Sequence, residues 1–276
     1  MPVVNSLTSA ASNHSIKLTL SKFLIVGLLS GLFKKKEIPS SLTDLSGLYI
    51  DLHSHLIPGI DDGAKTMTDS LDLIRGLRDL GFKKIITSPH IMSGGYNNTP
   101  EIILSGRDDV RSALRENNID VEFDAWAEYY LDETIMPKIE NKELLTMGDK
   151  YVLVELSYLM KSNNSTAYFY AMISRGYKVI LAHPERYPYY HNESFHEYYN
   201  LKDQGIYFQL NIASLTGTYG GSARATAEKL IDNNMIDFVA TDLHNDRHLS
   251  YIKDAVKLQY MEKILNYPKL MNKVLI

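Results

Sequence analysis

Apolar residues follow two rhythms along this chain, and from residue 48 onward the two alternate. Short strand-length runs over 48–53, 83–88, 121–127, 151–156, 178–182, 206–211 and 237–241 read as seven strands. Stretches with apolar residues every three or four positions predict helices over 66–80, 100–117, 165–175, 194–204, 222–233 and 249–265. In the first of these, Leu71, Ile74, Leu77 and Leu80 share one face, and Gly81 supplies the stop. The run over 83–88 is a buried strand built on Ile85 and Ile86. Strands that alternate with helices imply a parallel sheet. No internal repeat and no break in composition interrupts residues 48–276, so they read as one domain.

The pattern differs before residue 48. Residues 23–33 form an apolar run with Lys22 before it and Lys34, Lys35 and Lys36 after it. A spanning helix needs about 18 or more apolar residues, and this run is shorter. A secretory signal would continue into a small-residue cleavage site, where a lysine triplet stands instead. We read residues 1–47 as a leader and linker outside the domain. Residues 37–47 are a polar stretch with Pro39 and several serines. The alternative is an amphipathic segment lying on a membrane surface, which would bring the protein close to a membrane without a transmembrane span.

Composition narrows the chemistry. A chain of 276 residues with 45% hydrophobic and 22% charged residues can bury a sizeable core. A net charge of -4 argues against general nucleic-acid binding. There are no cysteines, which excludes disulfides and every mechanism with a cysteine nucleophile.

The candidate chemistry sits where the predicted strands end. His53 and His55 are two apart, which on an extended strand sends both rings to one side. Asp242 and His244 repeat that spacing at the last strand, and the first and last strands of a closed barrel are neighbours. Glu128, Glu155, His90 and His183 each follow an apolar run, and Asp62 lies in a turn-like Asp61-Asp62-Gly63. Each alone is an ordinary loop residue: a lone glutamate is usually solvated, and short His-x-His motifs often mean nothing. Their shared placement at strand ends is what a barrel enzyme uses for its active site. Imidazole and carboxylate ligands without thiolate suit Mn, Fe, Zn or Mg. Arg186 lies three residues beyond His183, and Arg247 three beyond His244. Either can fork two oxygens of a phosphate, or form a surface salt bridge. His14, His191 and His196 lack such context and read as surface residues, while His248 stays open.

The stretches Asp-Leu-His-Ser-His, Pro-Gly-Ile-Asp-Asp-Gly-Ala-Lys-Thr, Ala-Glu-Tyr-Tyr, Ala-His-Pro-Glu-Arg-Tyr and Thr-Asp-Leu-His-Asn, in that order from residue 51 to 245, resemble the PHP (polymerase and histidinol phosphatase) superfamily. Within it they resemble the manganese-dependent bacterial protein-tyrosine phosphatases of capsule and exopolysaccharide loci. The resemblance implies a distorted (βα)7 barrel, a TIM-like PHP fold, holding three metal ions, with Mn2+ expected and Fe, Zn or Mg as alternatives. It implies one ion bound by His53, His55, Glu128 and Asp242. A second would take Glu128, Glu155 and His183, and a third Asp62, His90 and His244. Arg186 and Arg247, with Asp62, would serve catalysis. Four ligand carboxylates facing three divalent ions leave a positive site for a phosphate, attacked by hydroxide that the metals generate from water. The activity implied is a cytoplasmic phosphotyrosine-protein phosphatase whose partner is the tyrosine-rich tail of a bacterial tyrosine kinase. The alternatives are a histidinol-phosphate or other small-molecule phosphomonoesterase of the superfamily, and a non-catalytic regulatory scaffold.

Overall fold

A computed structural model of the protein describes residues 40–191 and 194–275. The apolar run over 23–33 and His14 lie outside the described residues.

All seven expected strand regions are present, and all pairings between strands are parallel. Two of the seven continue, after a break, into a short strand beyond the expected run. The second comprises β2 (Lys84–Thr87) and β3 (His90–Ile91), separated by Ser88 and Pro89. The third comprises β4 (Glu122–Ala125) and β5 (Glu128–Tyr130), separated by Trp126 and Ala127. Proline cannot donate to a ladder, which accounts for the first break. With β1 (Ile50–Asp51), β6 (Tyr151–Glu155), β7 (Lys178–Ala182), β8 (Tyr207–Asn211) and β9 (Phe238–Ala240), the strands form two ladders. One runs β1-β2-β4 and the other β3-β5-β6-β7-β8-β9, so the divided strands carry the wall from one ladder into the next.

No ladder joins β1 to β9. Just beyond their ends a single parallel bridge pairs Ser54 with Leu243. Asp242 N donates to His53 O at 2.8 Å and His55 N to Leu243 O at 2.9 Å. At the opposite end the Asn272 side-chain amide donates to both Ile50 O and Val239 O. These contacts hold the first and last strands side by side where the two predicted ligand pairs emerge.

Alternation along the strands sorts the core into two layers. Ile50, Leu52, Ile86, Trp126, Tyr151, Leu153, Ile180, Ala182, Phe238 and Ala240 pack together on one side of the wall. Val152, Val154, Val179, Leu181, Phe208, Leu210 and Val239 pack on the other, in the same cluster as Leu71, Ile74 and Leu77 of the first helix. Burial on both faces is what a parallel sheet covered by helices requires. Glu155, two residues beyond Leu153, keeps that residue's side and ends β6.

The helices start where local chemistry allows. α1 (Met67–Asp79) opens on a capping box in which Thr66 and Asp69 satisfy each other's backbone N–H groups. α2 (Pro100–Glu116) opens on Thr99 with proline in its first turn. The helix expected over 249–265 is two, α7 (Asp246–Ala255) and α8 (Gln259–Leu265), and the first begins earlier because Asn245 caps it by accepting from His248 N. A short helix, α3 (Ile135–Asn141), lies where none was expected; with seven residues it offers too little pattern to read. The remaining α-helices among the described residues are α4 (Ser165–Ser174), α5 (His196–Asp203) and α6 (Gly221–Asp232). The stretch expected as a polar linker is packed at its end, since Leu45 is buried in the main core.

Candidate metal centre

The nine residues singled out at strand ends converge at one end of the wall. Four groups of their ligand atoms, each within 4.8 Å of one another, account for all of them: His55, Asp62, His90 and His244; His53, His55 and Asp242; His53, Glu128 and His183; His90, Glu128 and Glu155. His55 thus lies between the set expected for the first ion and the set expected for the third.

Glu128 stands at the centre. Its Oε2 lies 3.1 Å from His53 Nε2, 3.4 Å from His55 Nε2 and 3.2 Å from His90 Nδ1. Its Oε1 lies 3.2 Å from His183 Nε2. Asp242 Oδ1 is 3.3 Å from His53 Nε2 and 3.5 Å from His55 Nε2. On the solvent side, Asp62 Oδ1 lies 3.5 Å from His90 Nε2 and 3.4 Å from His244 Nε2.

Three observations fit this donor set to divalent cations. Glu128 Oε2 and His90 Nδ1 are buried without a hydrogen-bond partner, an expensive state unless something else satisfies them. His53 Nε2 and His55 Nε2 face each other at 3.3 Å, two atoms that need a cation or proton between them. The other nitrogen of each ring is fixed from behind: His53 Nδ1 by Gln209 Oε1 and His55 Nδ1 by Asp61 Oδ2, both at 2.8 Å. Such partners fix the tautomer so that Nε2 presents its lone pair to a metal.

Electrostatics carry the same imprint. Burial disfavours a charged His53, yet Glu128 and Asp242 outweigh it and hold the ring at about 9. Burial likewise opposes charge on His55, but Asp61 and Asp242 raise it well above the ordinary value. Glu155 is pushed up to about 8 by burial and by the neighbouring Glu128. His183 is lowered to about 4 by burial and by Arg186.

The backbone is bent to make this site. His183 has φ +34° and Asp242 φ +50°, left-handed conformations that side chains other than glycine rarely adopt. Gly63 is required where the Asp61–Asp62 turn crosses His55, because a Cβ there would lie 2.0 Å from His55 O.

The two arginines differ. Arg186 faces a cleft of about 590 Å³ whose lining includes Asp62, His90, Glu128, Glu155, His183, Asp242 and His244. Its Nη1 donates to Asp242 Oδ2 at 2.9 Å. Arg247 is exposed, donates through Nε to Tyr251 Oη at 2.6 Å, and is absent from the residues lining that cleft. His248 and Asn245 line it instead.

Several contributors escaped the sequence reading. Gln209 and Asn211 are buried polar residues two apart on β8, and Asn211 Nδ2 donates to Asp242 Oδ2 at 2.8 Å. Two amides spaced by two in a strand-like run were the available signal. Glu185 is buried and accepts from Ser214 Oγ and from Asn211 N, bracing the start of the turn after β8. Tyr158 and Tyr219 line the cleft, with nothing in their sequence context to mark them. His191, read as a surface residue, contacts Glu185 O through Nε2 at 2.7 Å.

Residues 49–271 match the family model described as capsular polysaccharide synthesis, CpsB/CapC. Among curated relatives, the tyrosine-protein phosphatase YwqE of Bacillus subtilis is 30% identical over 201 residues, covering 71% of this chain and 77% of that protein. The putative tyrosine-protein phosphatase CapC of Staphylococcus aureus is 24% identical over 80% of this chain and 88% of its own. A solved structure from work on YwqE of Bacillus subtilis and CpsB of Streptococcus pneumoniae, described as unique metal-dependent tyrosine phosphatases, superposes with a TM-score of 0.70. That chain is 28% identical, and the match covers 78% of this chain and 86% of that one.

Proposed function

Because the chain belongs to the CpsB/CapC capsular polysaccharide synthesis family, we propose that it is a metal-dependent protein-tyrosine phosphatase whose nine clustered residues hold three divalent ions. The observation that carries this reading is Glu128 Oε2, buried, without a hydrogen-bond partner, and within 3.4 Å of nitrogens from three histidines. A carboxylate in that position is suited to bridge ions. One ion is assigned to His53, His55, Glu128 and Asp242, a second to Glu128, Glu155 and His183, and a third to Asp62, His90 and His244, with Mn2+ as the metal. Ions held there would supply positive charge for phosphoryl oxygens and would acidify water, the service such ions perform in phosphate-ester hydrolysis.

The chain's own residues do the rest. Gln209, Asp61 and Asn211 fix His53, His55 and Asp242 before substrate arrives, so no reorganisation is needed during reaction. Arg186 gives one N–H to Asp242 and carries further donors for phosphoryl oxygens. Water adds to phosphorus, the bond from phosphorus to the tyrosine oxygen breaks in line, and the phenol leaves with a proton. Tyr130, Tyr158, Leu159 and Met92 line the cleft above the charged floor and give an aryl group apolar contact.

The cleft opens to solvent past Leu159, which is 93% exposed. That opening favours a phosphotyrosine on a protein over histidinol phosphate, which needs a closed pocket around an imidazole and an amine. The protein substrate we assign is the tyrosine-rich tail of a bacterial tyrosine kinase, met on the cytoplasmic side. No helix among the described residues is long and apolar enough to cross a membrane. The test is a side-by-side turnover assay with Mn on phosphotyrosine peptide, phosphoserine peptide and histidinol phosphate. We expect the phosphotyrosine peptide to be hydrolysed fastest. Preference for histidinol phosphate would overturn the assignment, and no turnover of any substrate by metal-loaded protein would favour the scaffold reading.

A further inference from the structure

Arg186 lies over two aromatic rings. Its Cζ is 4.7 Å from the centroid of the Tyr158 ring and 4.1 Å from that of Tyr219. Both rings are half-buried and border the cleft. The contacts continue around a circuit. Arg186 Nη1 donates to Asp242 Oδ2, Asn211 Nδ2 donates to that same oxygen, and Asn211 Nδ2 also reaches Tyr219 Oη at 3.4 Å. Tyr158 Oη stands 3.3 Å from both ring nitrogens of His183.

We propose that Tyr158 and Tyr219 are positioning residues: they hold the Arg186 guanidinium in the orientation that binds the phosphoryl group. The inference rests on the assignment of Arg186 to phosphate made above. Arginine is long, and a flexible side chain must be immobilised before its planar donors can fork an anion. A guanidinium against two ring faces, with one N–H tied to Asp242, has lost most of that freedom already. Its remaining donors are left for the cleft. The rings also replace water beside the cation, where its attraction to an aromatic face is stronger than at an exposed site. Tyr158 also packs against the main core and stacks on Tyr187, but both rings present a face to the guanidinium at the border of the charged cleft.

The test uses the full-length, metal-loaded protein and inorganic phosphate as the ligand, with binding measured by calorimetry. Tyr219→Leu and Tyr158→Leu each weaken phosphate binding by about tenfold, within the range of a cation held against a ring. Metal content stays at the level of the parent protein. Tyr219→Phe and Tyr158→Phe recover most of the affinity, because the ring does the positioning. Arg186→Ala weakens binding by about ten- to a hundredfold, as loss of a charge-assisted hydrogen bond does. In the Arg186→Ala background, Tyr219→Leu has no further effect. Unchanged affinity in both leucine variants, with Arg186→Ala impaired, overturns the positioning role alone. An equal loss from Tyr219→Leu with and without the arginine, or metal loss in the leucine variants, also overturns it. Normal phosphate binding by Arg186→Ala removes the arginine's own assignment and the positioning role with it.

Discussion

The floor and the rim of the cluster are built differently. On the floor, His53, His55, Glu128 and Asp242 are at most 2% exposed. Each of the two floor imidazoles is fixed from behind by a buried side chain, Gln209 or Asp61. On the rim, the Asp62 side chain is 50% exposed, and those of His90 and His244 are 11% and 12% exposed. The rim faces the cleft, and so do Glu128 and Asp242 of the floor, while His53 and His55 lie behind them and do not line it. The difference separates two tasks. The floor is organised in advance and suits an ion held permanently, whereas the rim stays open to water and incoming phosphate.

The largest effects should come from breaking the floor. Glu128→Ala removes the carboxylate common to two of the proposed ion sites. It should strip metal from the protein and lower kcat by more than the roughly 10- to 100-fold typical of losing an outer hydrogen-bond partner. Asp62→Ala, at the rim, should cost a single equivalent of metal and leave the floor loaded. Elemental analysis of both variants beside the parent protein decides the matter. Equal metal loss in the two would erase the distinction between floor and rim.

An intermediate effect should follow from loosening what stands behind the floor. Asp61→Leu and Gln209→Leu leave all nine proposed ligands in place but release His55 and His53 respectively. Each should weaken metal binding by about 10- to 100-fold. Metal titrations that match the parent protein would show that these contacts do not orient the rings.

Much of this site was legible because every proposed ligand but Asp62 lies at or just beyond the end of an apolar run, and residues two apart on an extended strand share a side. The outer partners were not legible. Gln209 and Asn211 lie on a different strand from the residues they fix, and only the folded wall brings them near. Arg186 and Arg247 show where spacing misleads. Each lies three residues past a histidine, yet Arg186 ends a 3-10 turn (Pro184–Arg186) and enters the cleft. Arg247 sits in the first turn of α7, one helical turn before Tyr251, and its guanidinium reaches that hydroxyl instead. The seven strand regions were readable from periodicity, but the breaks at Ser88-Pro89 and Trp126-Ala127 were not. A break changes which ladder a residue joins without changing how apolar the segment is.

The smallest effect expected is a proton count. In the metal-free protein at pH 7, the raised His53 and His55, whose Nε2 atoms face each other at 3.3 Å, hold an extra proton between them, and Glu155, at about 8, holds another. Metal ligands must shed them, so uptake should release protons, and affinity should rise as pH increases toward 9. His183, at about 4, is already neutral and releases none. Calorimetry of Mn binding in buffers of differing ionisation enthalpy measures the release. Uptake without proton release would contradict the protonation pattern ascribed to the floor.

If the clustered residues work by holding metal, removing the metal should abolish turnover. The protein should be stripped with a strong chelator, checked by elemental analysis, and assayed on a phosphotyrosine peptide before and after Mn is returned. Turnover should vanish in the stripped protein and reappear with Mn, and thiol alkylation should change neither result, because the chain has no cysteine. Turnover that persists in verified metal-free protein would contradict the account.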